Sequence, residues 1–196
     1  MRVQRHQISR GDHVNEQLID FLRERTAESA AGTTALRNQG EKGVIHNARK
    51  FLRGLELYKF AECTTEGLFS ALLDEKTKAL QESFPPAARN WGAARKVLNL
   101  YLRDVLYSRY LCKHFDFHHL EKWLEVPLDS FAAKGIQFDY RPQTLVNFPG
   151  IKHLTQEVNQ AYQEAAAAIA SSRGYARVHL DILYWRDIGQ KGKKSE

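Results

Sequence analysis

The sequence is poor in cysteine, methionine and proline, with two, one and five of them among 196 residues. Its two cysteines, Cys63 and Cys112, have no CxxC spacing and sit in apolar, helical surroundings, which leaves no framework for a disulfide scaffold, an iron-sulfur cluster or a zinc site. They are expected to be reduced, buried thiols. No apolar run approaches the length of a membrane span, and the opening MRVQRHQISRGDH lacks the apolar core of a signal peptide, so a cytoplasmic protein with no membrane partner is expected. Alternation of period two is nearly absent, which argues against sheet and predicts an all-α fold. No cofactor or metal is called for.

What remains is an ordinary globular composition, 43% hydrophobic and 27% charged. A chain of this length buries roughly 70% of its unfolded surface as one domain. One helical domain is therefore expected over residues 1–188, as a monomer, followed by a basic flexible tail over 189–196. Lysine and arginine number 29 against 23 acidic residues, a net charge of +6 and a pI near 9.3. That balance favours a polyanionic partner, because each phosphate neutralised releases a condensed counterion.

Along the chain, Val14, Leu18, Phe21 and Leu22 share one face of a first helix, and Phe51, Leu52, Leu55, Leu57 and Tyr58 mark another. Residues 35–50 are polar and punctuated by glycine, which reads as a long loop or a mobile flap. Helices are predicted at about 65–81, 87–113 with a possible break near Trp91-Gly92, 117–124, 151–172 and 176–187. Ser-Ser-Arg-Gly at 171–174 signals the end of the alanine-rich one.

Residues 91–131 carry the chemistry. A glycine turn at Gly92 opens a helix whose first exposed amine is Lys96, and Val126-Pro127-Leu128 delivers Asp129 to the start of the next helix. Excision of a base from DNA needs such a pair, an amine to attack the sugar carbon and a carboxylate to stabilise the cationic sugar. A free lysine is only about 0.04% neutral at pH 7, so a nucleophilic one needs burial, a neighbouring cation or a helix N-terminus. Arg95 and the Gly92 turn offer the last two. Asp129, at a helix cap, is expected to stay ionised. The plainer alternatives are a solvated surface lysine and an aspartate that only caps.

These segments resemble a known family. GAARKVLN is similar to the G-x-G-R-K-x-x-N segment of the helix-hairpin-helix DNA glycosylases, and EVPLDS to their V-D-[TS] segment with the catalytic aspartate. ARVHLDILYW resembles the H-[LI]-D-x-x-x-W helix of the archaeal 8-oxoguanine glycosylase (AGOG) branch. The resemblance implies Lys96 as the Schiff-base lysine, Asp129 as the catalytic aspartate, and Asp181 with Trp185 as the residues contacting a flipped base. Ala94 stands where that family's hairpin has its second glycine. The implied activity is a DNA N-glycosylase with AP lyase activity on an oxidised purine, its partner damaged DNA.

Asp181 and Trp185 lie at i and i+4 and so share a helical face, where a carboxylate could accept from an oxidised guanine and an indole could stack. The alternative is that Asp181 pairs with Arg177 while Trp185 seals the core. Gly92, Ala93 and Arg95 are expected to contact phosphates. Lys96, Asn99 and Arg103, at i, i+3 and i+7, are expected to line one cleft as a polar stripe, with Asn99 and Arg103 as DNA contacts. Two rival classes remain: a HEPN-type ribonuclease using Arg109 and His114, and a non-catalytic DNA-binding protein on the same fold.

Overall fold

The computed structural model describes residues 15–36, 39, 41–140 and 145–191. Every regular element among these is helical: α1 Glu16–Ala30, α2 Val44–Arg53, α3 Leu57–Ala61, α4 Glu66–Ser83, α5 Trp91–Tyr107, α6 Arg109–His114, α7 Ser130–Asp139, α8 Gln156–Ser172 and α9 Leu180–Lys191. The all-α expectation holds. Side-chain oxygens of Asn15, Thr65, Ser108, Asp129 and Thr155 accept backbone N–H groups at the starts of α1, α4, α6, α7 and α8. Each satisfies a donor that a helix leaves open at its first turn.

Three local expectations are corrected. Within the stretch read as a loop or flap, α2 begins at Val44 after Gly43, whose φ is 103°. Val44, Ala48 and Leu52 recur every four residues and are buried, so packing outweighs the polar residues between them. The break predicted near Trp91-Gly92 is present at Arg89-Asn90, between the 3-10 turn Pro86–Ala88 and α5, and a second, unpredicted break at Ser108 ends α5 and caps α6. The helix predicted at 117–124 shrinks to a 3-10 turn, His118–Leu120. The carbonyls of Trp123 and Leu124 are taken by the guanidinium of Arg177 at 2.9 and 3.1 Å, not by a further helical turn. Finally, α9 runs to Lys191, into the predicted tail, of which residues 192–196 lie outside the described ones; so does Val14 of the first predicted helical face.

Two clusters of buried side chains form the interior. The larger joins α1 to α6 through Ile19, Leu52, Phe60, Phe69, Leu73, Leu80, Leu98 and Tyr101. The smaller joins α7, α8 and α9 through Val126, Ile136, Tyr162, Ala166, Leu180 and Tyr184. Each such large side chain contributes about 1.5–3 kcal/mol by leaving water. Cys63 and Cys112 are free and buried.

Helix α5 belongs to the larger cluster, yet its first turn presses against the smaller. A Cβ on Gly92 would lie 2.3 Å from the carbonyl oxygen of Ile151 and 2.7 Å from Leu154 Cβ, so only glycine permits this approach. A second close approach joins α7 to α9, where a Cβ on Gly135 would lie 2.3 Å from the Tyr184 ring. The Tyr184 hydroxyl donates to Asp139 Oδ2 at 2.8 Å, and Arg173 pairs with the same oxygen at 2.6 Å. These contacts pack the first turn of α5 against residues 151–154, and the middle and end of α7 against α9 and Arg173.

Candidate active site

Lys96 stands in the second turn of α5 and Asp129 immediately before α7. The structure brings them together: Lys96 Nζ lies 3.6 Å from Asp129 Oδ2. Asp129 Oδ1 accepts the backbone N–H groups of Phe131 and Ala132 at 2.9 and 3.0 Å, leaving Oδ2 to face the amine. Thus Asp129 is both a cap and a partner of the lysine, and the two readings of it are compatible. Lys96 itself is not the exposed amine expected; it is only 7% exposed.

Asp181, at the start of α9, lies near enough to this pair for both of their charges to act on it. Its carboxylate is ion-paired with Arg103, whose guanidinium also binds the neighbouring Asp104 at 2.7 Å. Burial raises Asp181 to about 6, above the ordinary carboxylate range; the cations Arg103 and Lys96 pull it down, while the charges of Asp129 and Asp104 push it up. Burial likewise raises Asp104 against the pull of Arg103. One helical turn further along α5, Tyr107 is pushed up to about 12 by burial, opposed by Arg103 and reinforced by Asp181. Its hydroxyl lies 2.7 Å from His179 Nδ1, and His179 Nε2 lies 2.7 Å from Glu121.

The face opposite Asp129 and Asp181 is therefore a stripe of α5 comprising Lys96, Arg103 and Tyr107. Asn99 leaves that stripe. It is buried and its amide donates to Glu125 Oε2 at 2.8 Å, so its role as a DNA contact is corrected. Arg95 is corrected too. At 5% exposure its guanidinium forms two 2.8 Å bonds with the Glu125 carboxylate and a third with Asp74, so it is neither a phosphate contact nor a free cation beside Lys96. Arg103 is turned inward to Asp181 and does not reach outward to a strand. Gly92 and Ala93 are buried within α5 and do not form an exposed phosphate turn.

Trp185, one turn after Asp181, is 61% exposed and so does not seal the core. Arg177 does not pair with Asp181; it binds the carbonyls of Trp123 and Leu124 and lies 3.7 Å from Glu66. Arg109 and His114 are both exposed on α6, and the His114 ring packs edge-on against Phe115. Sequence reasoning missed Asp104, Glu125 and a basic concavity beside the start of α5. That concavity, about 400 Å³, is lined by Arg89, Asn90, Trp91, Lys152 and His153 among others. Asn90 precedes α5 without capping it, its amide donating instead to the carbonyls of Ala88 and Gln39. Among the described residues, no three His, Cys, Asp or Glu side chains are arranged to hold a metal ion, and no helix is long and apolar enough to cross a membrane.

Compared with models of protein families, with curated proteins and with solved structures, the chain matches none.

Proposed function

We propose that this protein is a DNA glycosylase with AP lyase activity, built on a helix-hairpin-helix glycosylase-like fold, that removes 8-oxoguanine through a Schiff base on Lys96. The observation that carries the reading is the convergence of Lys96, Asp129 and Asp181, from three separate helices, with 3.6 Å between the lysine amine and the aspartate oxygen. Those are the residues to which the motif resemblance assigns nucleophile, sugar-stabilising carboxylate and base contact.

In this reading the flipped nucleotide enters between α5 and the starts of α7 and α9. The nitrogen of Lys96 attacks C1′ of the sugar, the bond from C1′ to the base breaks, and its electron pair leaves with the base, which takes up the proton that the lysine nitrogen sheds on forming the new C–N bond. Asp129, held by two backbone N–H groups, presents its other oxygen to the positive charge that develops on the sugar. Ring opening gives an imine on Lys96, from which β-elimination cleaves the strand. Asp181 accepts the N7 proton that oxidised guanine has and guanine lacks, a difference of about 1–3 kcal/mol when the unmatched acceptor stays buried. Trp185 supplies an exposed ring for stacking. Phosphates are held at the concavity of Arg89, Lys152 and His153, next to the uncapped start of α5.

Borohydride trapping on duplex DNA containing 8-oxoguanine tests the proposal. Wild type is expected to form a covalent adduct and Lys96→Gln neither adduct nor free base, with DNA affinity largely kept. Undiminished trapping by Lys96→Gln, or DNA binding by wild type without any adduct or base release, refutes it.

A further inference from the structure

Lys96 and Asp129 are supplied by different parts of the interior, so something must set the distance between them. Their own attraction does not. A lysine and a carboxylate free to close on each other reach about 2.7–2.9 Å, whereas this pair stands at 3.6 Å.

The chain that delivers Asp129 is an extended segment, residues 124–128, buried throughout. Buried backbone outside a helix or sheet must find partners elsewhere. Val126 finds both of its own on one side chain: its N–H donates to Gln163 Oε1 at 2.9 Å and its carbonyl accepts from Gln163 Nε2 at 2.9 Å. The amide of Gln163, on α8, thus takes the place of a neighbouring strand. One residue earlier, Glu125 is held by Arg95 through both carboxylate oxygens and by Asn99, all at 2.8 Å, and by Asn159 at 3.4 Å. Burial disfavours the charge of Glu125, but Arg95 and Asn99 outweigh it and hold the carboxyl below its ordinary value.

Arg95 is the chain neighbour of Lys96, and Glu125 lies four residues before Asp129. Asn159 and Gln163 are one turn apart on α8 and are themselves hydrogen-bonded at 3.4 Å. We infer that this buried clamp of Arg95, Glu125 and Gln163 fixes the separation of the Lys96 amine and the Asp129 carboxylate, making the three of them positioning residues for the chemistry at that pair. The inference rests on the glycosylase reading above. A buried ion pair is a poor device for stability alone, since apolar residues of like volume do as well. What a bidentate guanidinium and carboxylate add is a fixed direction. Here that direction runs from the turn of α5 bearing the nucleophile to the segment bearing its partner.

Two variants test it. Glu125→Asp keeps the charge and its partners but shortens the reach by one methylene, drawing the two elements together. Arg95→Met/Glu125→Leu removes both buried charges at once, so that the fold survives without the directed pair. On duplex DNA containing 8-oxoguanine, each variant is expected to keep the helical spectrum and to bind within about twofold of wild type. Its single-turnover rate of base release should fall about 10- to 100-fold, the order of loss that a misplacement near 1 Å produces. A purely structural clamp would change the melting temperature and leave the rate of each folded molecule alone. Wild-type rates in either folded variant, or a rate loss matched by an equal loss of binding, overturn the positioning role while the glycosylase reading stands. A wild-type protein that neither traps nor releases base overturns both.

Discussion

The guanidinium of Arg103 is ion-paired with the carboxylate of Asp181, which lies 78 residues further along the chain. The same guanidinium binds Asp104, so one cation serves two half-buried carboxylates. In the proposed function this pair has a direct consequence. Asp181 is a strong, charge-assisted acceptor for a base N–H while ionised, and Arg103 is the largest of the charges that keep it so.

Selectivity for lesion-containing DNA should therefore fall with acid. Asp181 sits near 6, raised by burial and by the charges of Asp129 and Asp104 and lowered by Arg103 and Lys96. Its protonation in the folded state is thus easier than in the unfolded chain. Stability from this group is fully present below the ordinary value of 3.8 and is lost as pH rises towards about 6. Binding runs the opposite way: the charged acceptor prevails above about 6 and below it gives way to a neutral carboxyl, a weaker acceptor that also carries a donor. The ratio of affinities for 8-oxoguanine DNA and undamaged DNA should drop by up to about tenfold per pH unit below that point, until the difference is exhausted. Titrating both affinities across pH 5–8 measures this, and Asp181→Asn should flatten the profile. An unchanged profile in that variant would remove Asp181 from base recognition.

Substitutions at Asp129 separate its two duties. Asparagine caps a helix about as well as aspartate, so Asp129→Asn should keep the cap, and any fall in its melting temperature reports the ion pair with Lys96 that it breaks. Asp129→Ala should lose about 1 kcal/mol with the two hydrogen bonds to Phe131 and Ala132. Both should depress single-turnover base release by orders of magnitude. If Asp129→Asn works at the wild-type rate, the carboxylate is a cap and nothing more.

The convergence of Lys96 and Asp129 was legible because each has a local signature, a helix beginning at tryptophan-glycine and an aspartate following an apolar-proline run. Asp181 followed from the resemblance of its helix. The true surroundings of Arg95 and Asn99 were not legible. Their partner Glu125 lies 30 and 26 residues away in a segment with no periodicity, so nothing local marks it as the acceptor. A polar residue on a helix reads as solvated until the element across from it is known. The start of α2 left a signal that its polar neighbours obscured, namely Val44, Ala48 and Leu52 at four-residue intervals. The opposite error falls at 117–124. Phe117, Leu120 and Leu124 are spaced as on a helix, but the N–H groups of Leu120, Glu121 and Trp123 close onto carbonyls three residues back, so the segment forms a short 3-10 turn.

The salt dependence of DNA binding should follow the exposed cations and not those that looked basic in sequence. Arg89→Ala and Lys152→Ala, at the concavity beside α5, should each lower the slope of log affinity against log salt by about one. Arg95→Ala should not act in this way. It should lower the melting temperature sharply, because it leaves Glu125 charged, buried and without its main partner, a loss of about 3–5 kcal/mol. A salt slope untouched by either surface variant would move the DNA track elsewhere on the protein.

Trp185 gives the sharpest test of how a damaged base is held. An indole with 61% of its surface in water contributes little to the fold, so Trp185→Ala should change stability by no more than about 0.5 kcal/mol. Stacking of a base on such a ring is worth about 1–3 kcal/mol, and only a base taken out of the duplex can reach it. The variant should therefore lose affinity for 8-oxoguanine DNA by roughly five- to 150-fold while binding undamaged duplex as wild type does, since the phosphate contacts are unaltered. Paired binding isotherms on the two duplexes decide the matter. Equal losses on both would place Trp185 on the outer DNA surface and leave Asp181 as the sole reader of the base from α9.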